Sequence, residues 1–309
     1  MKLLFFGTPQ TAARHLAALH QARPNDIAGI ITRADKPKGR GLEKTPSPVK
    51  SLAQELNLRP VFEPEQLDDQ HEKAWRTMAP DLGVVVAYGK ILPKRILEIP
   101  KKGFINVHFS LLPKLRGAAP AEYAILEGLD VTGVTIFWLD EGMDTGPILI
   151  QRGTPVKPEE TAPELLERLT DIGTELLPEA LTLIEQGRAL KTPQNESLAT
   201  YAKRLNKNDG QLNWSEPAHV LERKIRAFSA WPTCRATIEG RPVQILKAKA
   251  GADQHPGEGG AGEITRIERP LGFFIKCGSG ELMIHELRPE GGRAMSAWAF
   301  LQGIKGRQP

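Results

Sequence analysis

Phe104-Ile105-Asn106-Val107-His108-Phe109-Ser110-Leu111-Leu112-Pro113-Lys114-Leu115-Arg116-Gly117-Ala118-Ala119-Pro120 reads as a buried strand that ends in polar, reactive side chains. Strand alternation puts Asn106 and His108 on one face and Val107 on the other, so an amide and an imidazole converge. Ser110, Pro113 and Arg116-Gly117 then end the strand and turn the chain, and Pro120 suits the first position of a helix. In an open α/β sheet the carboxyl end of a strand is where ligands bind.

Working outward, Leu3–Phe6 reads as a first strand, residues 10–20 as a helix with Ala12, Ala13, Leu16 and Leu19 on one face, and Ile27–Thr32 as a second strand. Further strands are expected at 60–62, 81–88, 133–139 and 148–151, and helices at 48–56, 92–99, 120–127 and 161–187. The fold class expected is α/β, a Rossmann-like, mostly parallel sheet flanked by helices. Gly7-Thr8-Pro9 is not a G-x-G-x-x-G turn, so no dinucleotide is implied. Periodicity fades over 190–208, read as a linker, and short apolar runs separated by glycine turns follow over 209–309, barrel-like β signals of a second domain.

The chain has 309 residues, 40% hydrophobic and 25% charged, which fits one large or two ordinary globular domains. No apolar run approaches the roughly 20 residues that span a bilayer, and the opening Lys2–Gly7 is too short for a signal-peptide core. Cys234 and Cys277 stand far apart with no metal-type neighbours, so neither a disulfide framework nor a zinc site is expected, and cytoplasm is the expected compartment. The net charge of +4 is unevenly spread: residues 201–309 hold 17 basic against 11 acidic residues, and residues 33–50 hold 6 against 2. Two basic zones on an acidic remainder suit a polyanionic partner.

Alone, Asn106 and His108 read more readily as a turn cap and a satisfied core histidine than as a catalytic pair. A second loop, Gly142-Met143-Asp144-Thr145-Gly146-Pro147, follows the apolar run 131–139. Its glycines allow close backbone approach, and Asp144 could orient His108. An amide and an imidazole facing one oxygen suit acyl transfer, in which that oxygen becomes negative.

N-V-H-x-S-L-L-P-x-x-R-G-A-A-P followed by G-x-D-T-G resembles the 10-formyltetrahydrofolate-dependent formyltransferases, on the branch that formylates initiator methionyl-tRNA for translation initiation. The resemblance implies Asn106, His108 and Asp144 as the catalytic trio. It implies Ser110, Leu111, Leu112 and Pro113 as the lining of the folate pocket, and backbone at the end of Val84–Gly89 as a pterin contact. It also implies a tRNA contact through the Pro/Gly-rich loop 33–48, with Arg40 as the chief residue and Lys36, Lys38 and Lys44 as phosphate partners. That loop is expected to gain order when tRNA binds. The implied division is a catalytic domain over 1–189, a linker over 190–208 and an OB-like tRNA-binding domain over 209–309, with Arg223, Lys224, Arg226, Lys247 and Lys249 as further contacts. The implied co-substrate is 10-formyltetrahydrofolate, the formyl donor; no metal, no membrane and a monomer are expected.

Phe109, Lys114-Leu115 and Glu122 depart from the family's usual residues at those places. Two rivals remain open: a formyltransferase for a nucleotide-linked amino sugar, which would not need the basic loop, and a nucleic-acid-binding protein with an inactive α/β domain.

Overall fold

Near-continuous apolar runs, buried on both faces, form the centre of the first sheet. In the computed structural model, which describes residues 1–38, 43–251 and 259–305, Leu3–Gly7 (β1), Ile27–Ile31 (β2) and Leu82–Val86 (β6) are parallel neighbours. Between them in the chain come Lys36–Lys38 (β3), Glu43–Thr45 (β4) and Val61–Phe62 (β5). Phe104–His108 (β7), Arg116–Gly117 (β8), Val131–Trp138 (β9) and Ile148–Pro155 (β10) follow. The seven-stranded sheet runs β10-β9-β7-β6-β1-β2-β5. The five strands from β7 to β5 are parallel, and β9 and β10 are antiparallel additions on the β7 side.

Helices cover both faces. Gln10–Ala22 (α1), Pro48–Glu55 (α2) and the long Ala162–Glu185 (α6) match the apolar periodicity, and Pro120–Leu126 (α5) opens on its proline as expected. On the opposite face, Leu4, Phe6, Val85 and Phe104 pack with Trp75, Tyr88, Leu92 and Ile96. Gly83 leaves room for the Phe104 ring, into which any Cβ there would run.

Two helical expectations need correction. The helix expected at 92–99 is a single turn, Lys94–Leu97 (α4), because Pro93 caps it and Glu98 ends it just before Pro100. Asp69–Thr77 (α3) forms a helix that apolar periodicity did not reveal: Asp68 caps it by accepting from the His71 amide, and Trp75 is its buried side chain. The basic loop is also more regular than an open excursion. β3 and β4 pair as a ladder, Lys36 opposite Thr45 and Lys38 opposite Glu43.

Contacts divide the chain into two compact units: residues 1–120, 131–155 and 166–202, and residues 121–130, 156–165 and 203–309. Within the stretch expected as a linker, Thr192 bridges Ile148 through reciprocal backbone hydrogen bonds, and Tyr201–Ala202 (β11) pairs with β8 in the first unit. The second unit carries an antiparallel sheet where barrel-like strands were expected. Its strands are Cys234–Ile238 (β12), Arg241–Ala250 (β13), Ile264–Glu268 (β14), Gly272–Lys276 (β15), Glu281–Pro289 (β16) and Met295–Ser296 (β17). They run in the order β12-β13-β16-β15-β14, with β17 on β16. Two helices there, Ala218–Ala227 (α7) and Ala297–Lys305 (α8), were not expected from the β signals.

Candidate active site

His108 is the last residue of β7, so it stands at the carboxyl edge of the parallel strands. β7 registers Val85 against Asn106 on one side, and Phe137 and Thr135 against Asn106 and His108 on the other. Alternation places Asn106 and His108 on one face as expected, and Phe109 turns the other way to pack edge-on against His15 of α1. The departure at Phe109 therefore fills the α1 side, away from the pair.

His108 is nearly buried, with its ring edge-on to Phe137. Its Nε2 lies 2.9 Å from the Leu115 carbonyl oxygen. A carbonyl only accepts, so Nε2 carries the hydrogen and Nδ1 is the nitrogen left for chemistry. Asp144 Oδ2 lies 3.7 Å from Nδ1, an ion-pair separation longer than a hydrogen bond. The same oxygen accepts from the Gly117 amide at 2.8 Å, which aims the carboxylate. Asn106 is half-buried, and among the described residues its carboxamide has no hydrogen-bond partner. The trio named from the sequence therefore has its histidine and aspartate together and its asparagine on the same face.

The backbone at both partners of His108 is unusual. Leu115 has φ 60° and Asp144 φ 57°, the left-handed region that side chains other than glycine enter at a cost of about 1–2 kcal/mol. Leu115, the second departure, is fully buried, so its side chain anchors the turn while its carbonyl meets His108. Gly117 has φ 124°, and a Cβ there would run into the Ala202 carbonyl. Gly146 likewise faces the Trp138 carbonyl with no room for a side chain, and Asp140 Oδ1 ties the Gly142 amide and the Thr145 hydroxyl at 3.0 and 2.7 Å. The G-x-D-T-G pattern is thus the set of residues that lets this loop fold tightly.

Ser110–Pro113 form a turn held from beneath. The Ser110 hydroxyl donates to the Lys114 carbonyl at 2.6 Å, and Thr135 Oγ1 donates to the Ser110 carbonyl while accepting from the Leu112 amide. Gln151 donates to the Leu112 carbonyl at 2.9 Å. Ser110 and Leu112 are buried, whereas Leu111 and Pro113 are half-buried. Beyond β6, Ala87 and Gly89 are exposed with φ 45° and 78°, and Tyr88 turns its ring into the core against Phe6. Glu122 is half-buried near the start of α5, and burial raises its carboxyl above the usual range.

The basic candidates separate. Lys36, Lys38 and Lys44 lie on the β3–β4 ladder, and Arg40 lies outside the described residues. Lys50 is not available to a ligand, being paired with Asp35 and Glu63 at 2.7 and 2.8 Å. In the second unit Lys224 donates to the Gln211 carbonyl, Arg226 to the Glu160 carbonyl and Lys249 to Glu159. Arg223 lies against Gly128, and Lys247 is exposed. A cavity of about 630 Å³ between α1 and α2 is lined by Thr8, Arg14, Arg33, Thr45 and Ser47, and none of the trio lines it.

Sequence reasoning missed the groups that fix the trio. Arg116 is 1% exposed yet charged, and it holds both oxygens of Glu196 and the side-chain oxygen of Gln194. Gln194 in turn donates to the carbonyls of Asp144 and Gly146 at 2.8 and 2.7 Å.

A formyl transferase family model matches residues 1–181, and a formyl transferase C-terminal domain model matches residues 204–305. A methionyl-tRNA formyltransferase of Synechococcus sp. (strain JA-2-3B'a(2-13)) is 42% identical over 98% of this chain and 95% of its own length. One of Pseudomonas putida (strain GB-1) is 42% identical over 96% and 94%. Among solved structures, an N-formyltransferase of Helicobacter canadensis aligns with a TM-score of 0.68 at 21% identity, covering 92% of this chain and 98% of that one, which supports the fold. The two domain matches and full-length relatives at this identity lead to one conclusion: the chain belongs to the formyl transferase family, on its methionyl-tRNA formyltransferase branch.

Proposed function

We infer that Asn106, His108 and Asp144 are the groups with which this chain performs its family's reaction. It transfers the formyl group of 10-formyltetrahydrofolate to the free amino group of methionine on initiator methionyl-tRNA, for translation initiation. The uncharged amine attacks the formyl carbon, and its lone pair forms the new C–N bond. The carbonyl oxygen becomes negative, the bond from carbon to the folate N10 breaks, and the proton lost by the amine ends on N10. The observation that carries the assignment is the tether of His108: with Nε2 given to the Leu115 carbonyl, Nδ1 is the nitrogen that can act, beside the Asp144 carboxylate. With Nε2 already carrying a hydrogen, the imidazolium form of His108 would present a second hydrogen from Nδ1, which with the Asn106 amide would stabilise the oxyanion, while Asp144 would balance the charge and pass protons. The amine is itself the nucleophile, so Ser110 shapes the turn.

Leu111 and Pro113, with the backbone of Ser110 and Leu112, are proposed to line the folate site. Arg40, Lys36, Lys38 and Lys44 are proposed to meet tRNA, Arg by its planar donor fork and Lys as point charges. The division into a catalytic domain over 1–189, a linker over 190–208 and a tRNA-binding domain over 209–309 is likewise proposed, as are a monomeric state and a cytoplasmic location. No described helix is long and apolar enough to cross a membrane.

The test is formyl transfer from 10-formyltetrahydrofolate offered charged initiator tRNA, uncharged tRNA and a nucleotide-linked amino sugar in parallel. Product on the charged tRNA alone is expected. Product on the sugar alone would keep the trio and overturn the reading of both basic zones.

A further inference from the structure

Both backbone groups that frame His108 are held by one short stretch, residues 192–202. At its start Thr192 is bridged to Ile148, and at its end Tyr201–Ala202 pair in parallel with Arg116–Gly117. Between these anchors Thr200 accepts the Leu115 amide on its hydroxyl at 2.9 Å, and its carbonyl accepts the Arg116 amide at 2.9 Å. That fixes the Leu115 carbonyl against His108 Nε2. On the other side Gln194 reaches the loop that carries Asp144.

We propose that Gln194 is a positioning residue for Asp144, and that the strap 192–202 sets the geometry of the His108–Asp144 pair. Its carboxamide has one orientation compatible with its neighbours. Arg116, a donor only, points Nε and Nη2 at Oε1 at 3.1 and 2.7 Å, so Nε2 must face the Asp144 and Gly146 carbonyls. Those two bonds bracket Thr145 and hold Asp144 at φ 57°, a conformation an aspartate leaves when released. With that backbone fixed, Oδ2 meets the Gly117 amide and stands 3.7 Å from His108 Nδ1. Arg116 makes the clamp stiff, because it is buried, bidentate to Glu196 and one residue from Gly117.

The proposal rests on the reading that Asp144 and His108 act together, and the test separates the two. Gln194→Glu keeps the oxygen that Arg116 binds but turns the donor toward the carbonyls into an acceptor. Groups that orient metal ligands carry about 10- to 100-fold in activity, and a loss of the same order is expected for Gln194. The expected result is a kcat lowered by about that factor, with KM for each substrate within about threefold and the thermal midpoint almost unmoved. In an Asp144→Asn background the same change should cost less than about twofold, because its route of action is already gone.

An equal loss in both backgrounds, or a kcat within about twofold of wild type beside an impaired Asp144→Asn, would overturn the proposal and leave the trio standing. A fully active Asp144→Asn would overturn the trio itself, and the proposal with it. Should Gln194→Glu fail to fold, Gln194→Met, which keeps the length and lacks the donor, gives the same comparison.

Discussion

At the scale of single residues, the histidine that matters for stability is a different one from the histidine proposed to act in the reaction. His15 of α1 is fully buried, its Nδ1 donates to the Thr11 carbonyl, and its Nε2 has no hydrogen-bond partner among the described residues. Burial pushes its pKa down to about 4 from 6.5. The unfolded chain therefore takes up a proton near pH 6.5 that the folded chain refuses until about pH 4. Stability contributed by neutral His15 is complete above pH 6.5 and is lost as pH falls toward 4, up to about 3 kcal/mol. Urea unfolding midpoints between pH 7 and 4.5 should fall less steeply for His15→Gln than for the wild type; parallel slopes would refute this origin. That Asn106 and His108 share a face was readable because alternation is a local rule, and the tight loop of Asp144 because of its dense glycine signature, whereas the roles proposed for the three came only from the family resemblance. Gln194 was not readable: its partners lie 48 and 50 residues away, and its bonds go to backbone carbonyls that leave no trace in the sequence.

At the scale of elements, apolar runs and helical stripes gave the strands of the first sheet and the helices α1, α2, α5 and α6. α3 escaped because its apolar stripe is essentially one side chain, Trp75, with Glu72 and Arg76 pairing on the outside. That ring fills the far side of the sheet, edge-on to Phe6 at 5.3 Å and to Phe62 at 6.1 Å. Trp75→Ala should cost about 3–5 kcal/mol, measured by chemical denaturation, because the cavity cannot close against strands fixed by their ladders. A loss under about 1 kcal/mol would mean that α3 contributes little to the core. The strap 192–202 was read as a linker for the same reason that Gln194 was missed. Its structure comes from single bridges and side-chain hydrogen bonds rather than from a repeating apolar face.

At the scale of the whole molecule, the mixed pattern of a parallel sheet followed by short strands was enough to foresee two kinds of fold. The sequence could not show that the compact units are discontinuous, with residues 121–130 and 156–165 counted in the second. Contact between segments distant in the chain is decided by tertiary packing, not by local pattern. The proposed reaction joins these scales: β7 brings an amide and an imidazole to one face, the loop before β10 brings a carboxylate, and the strap holds that loop and the turn whose carbonyl meets His108. The measurement that tests this most directly is single-turnover formyl transfer to charged initiator tRNA by the wild type and by His108→Ala. Loss of one oxyanion-stabilising group should slow the chemical step about 10²- to 10³-fold while the folded state persists. Undiminished turnover in His108→Ala would contradict the account at its centre.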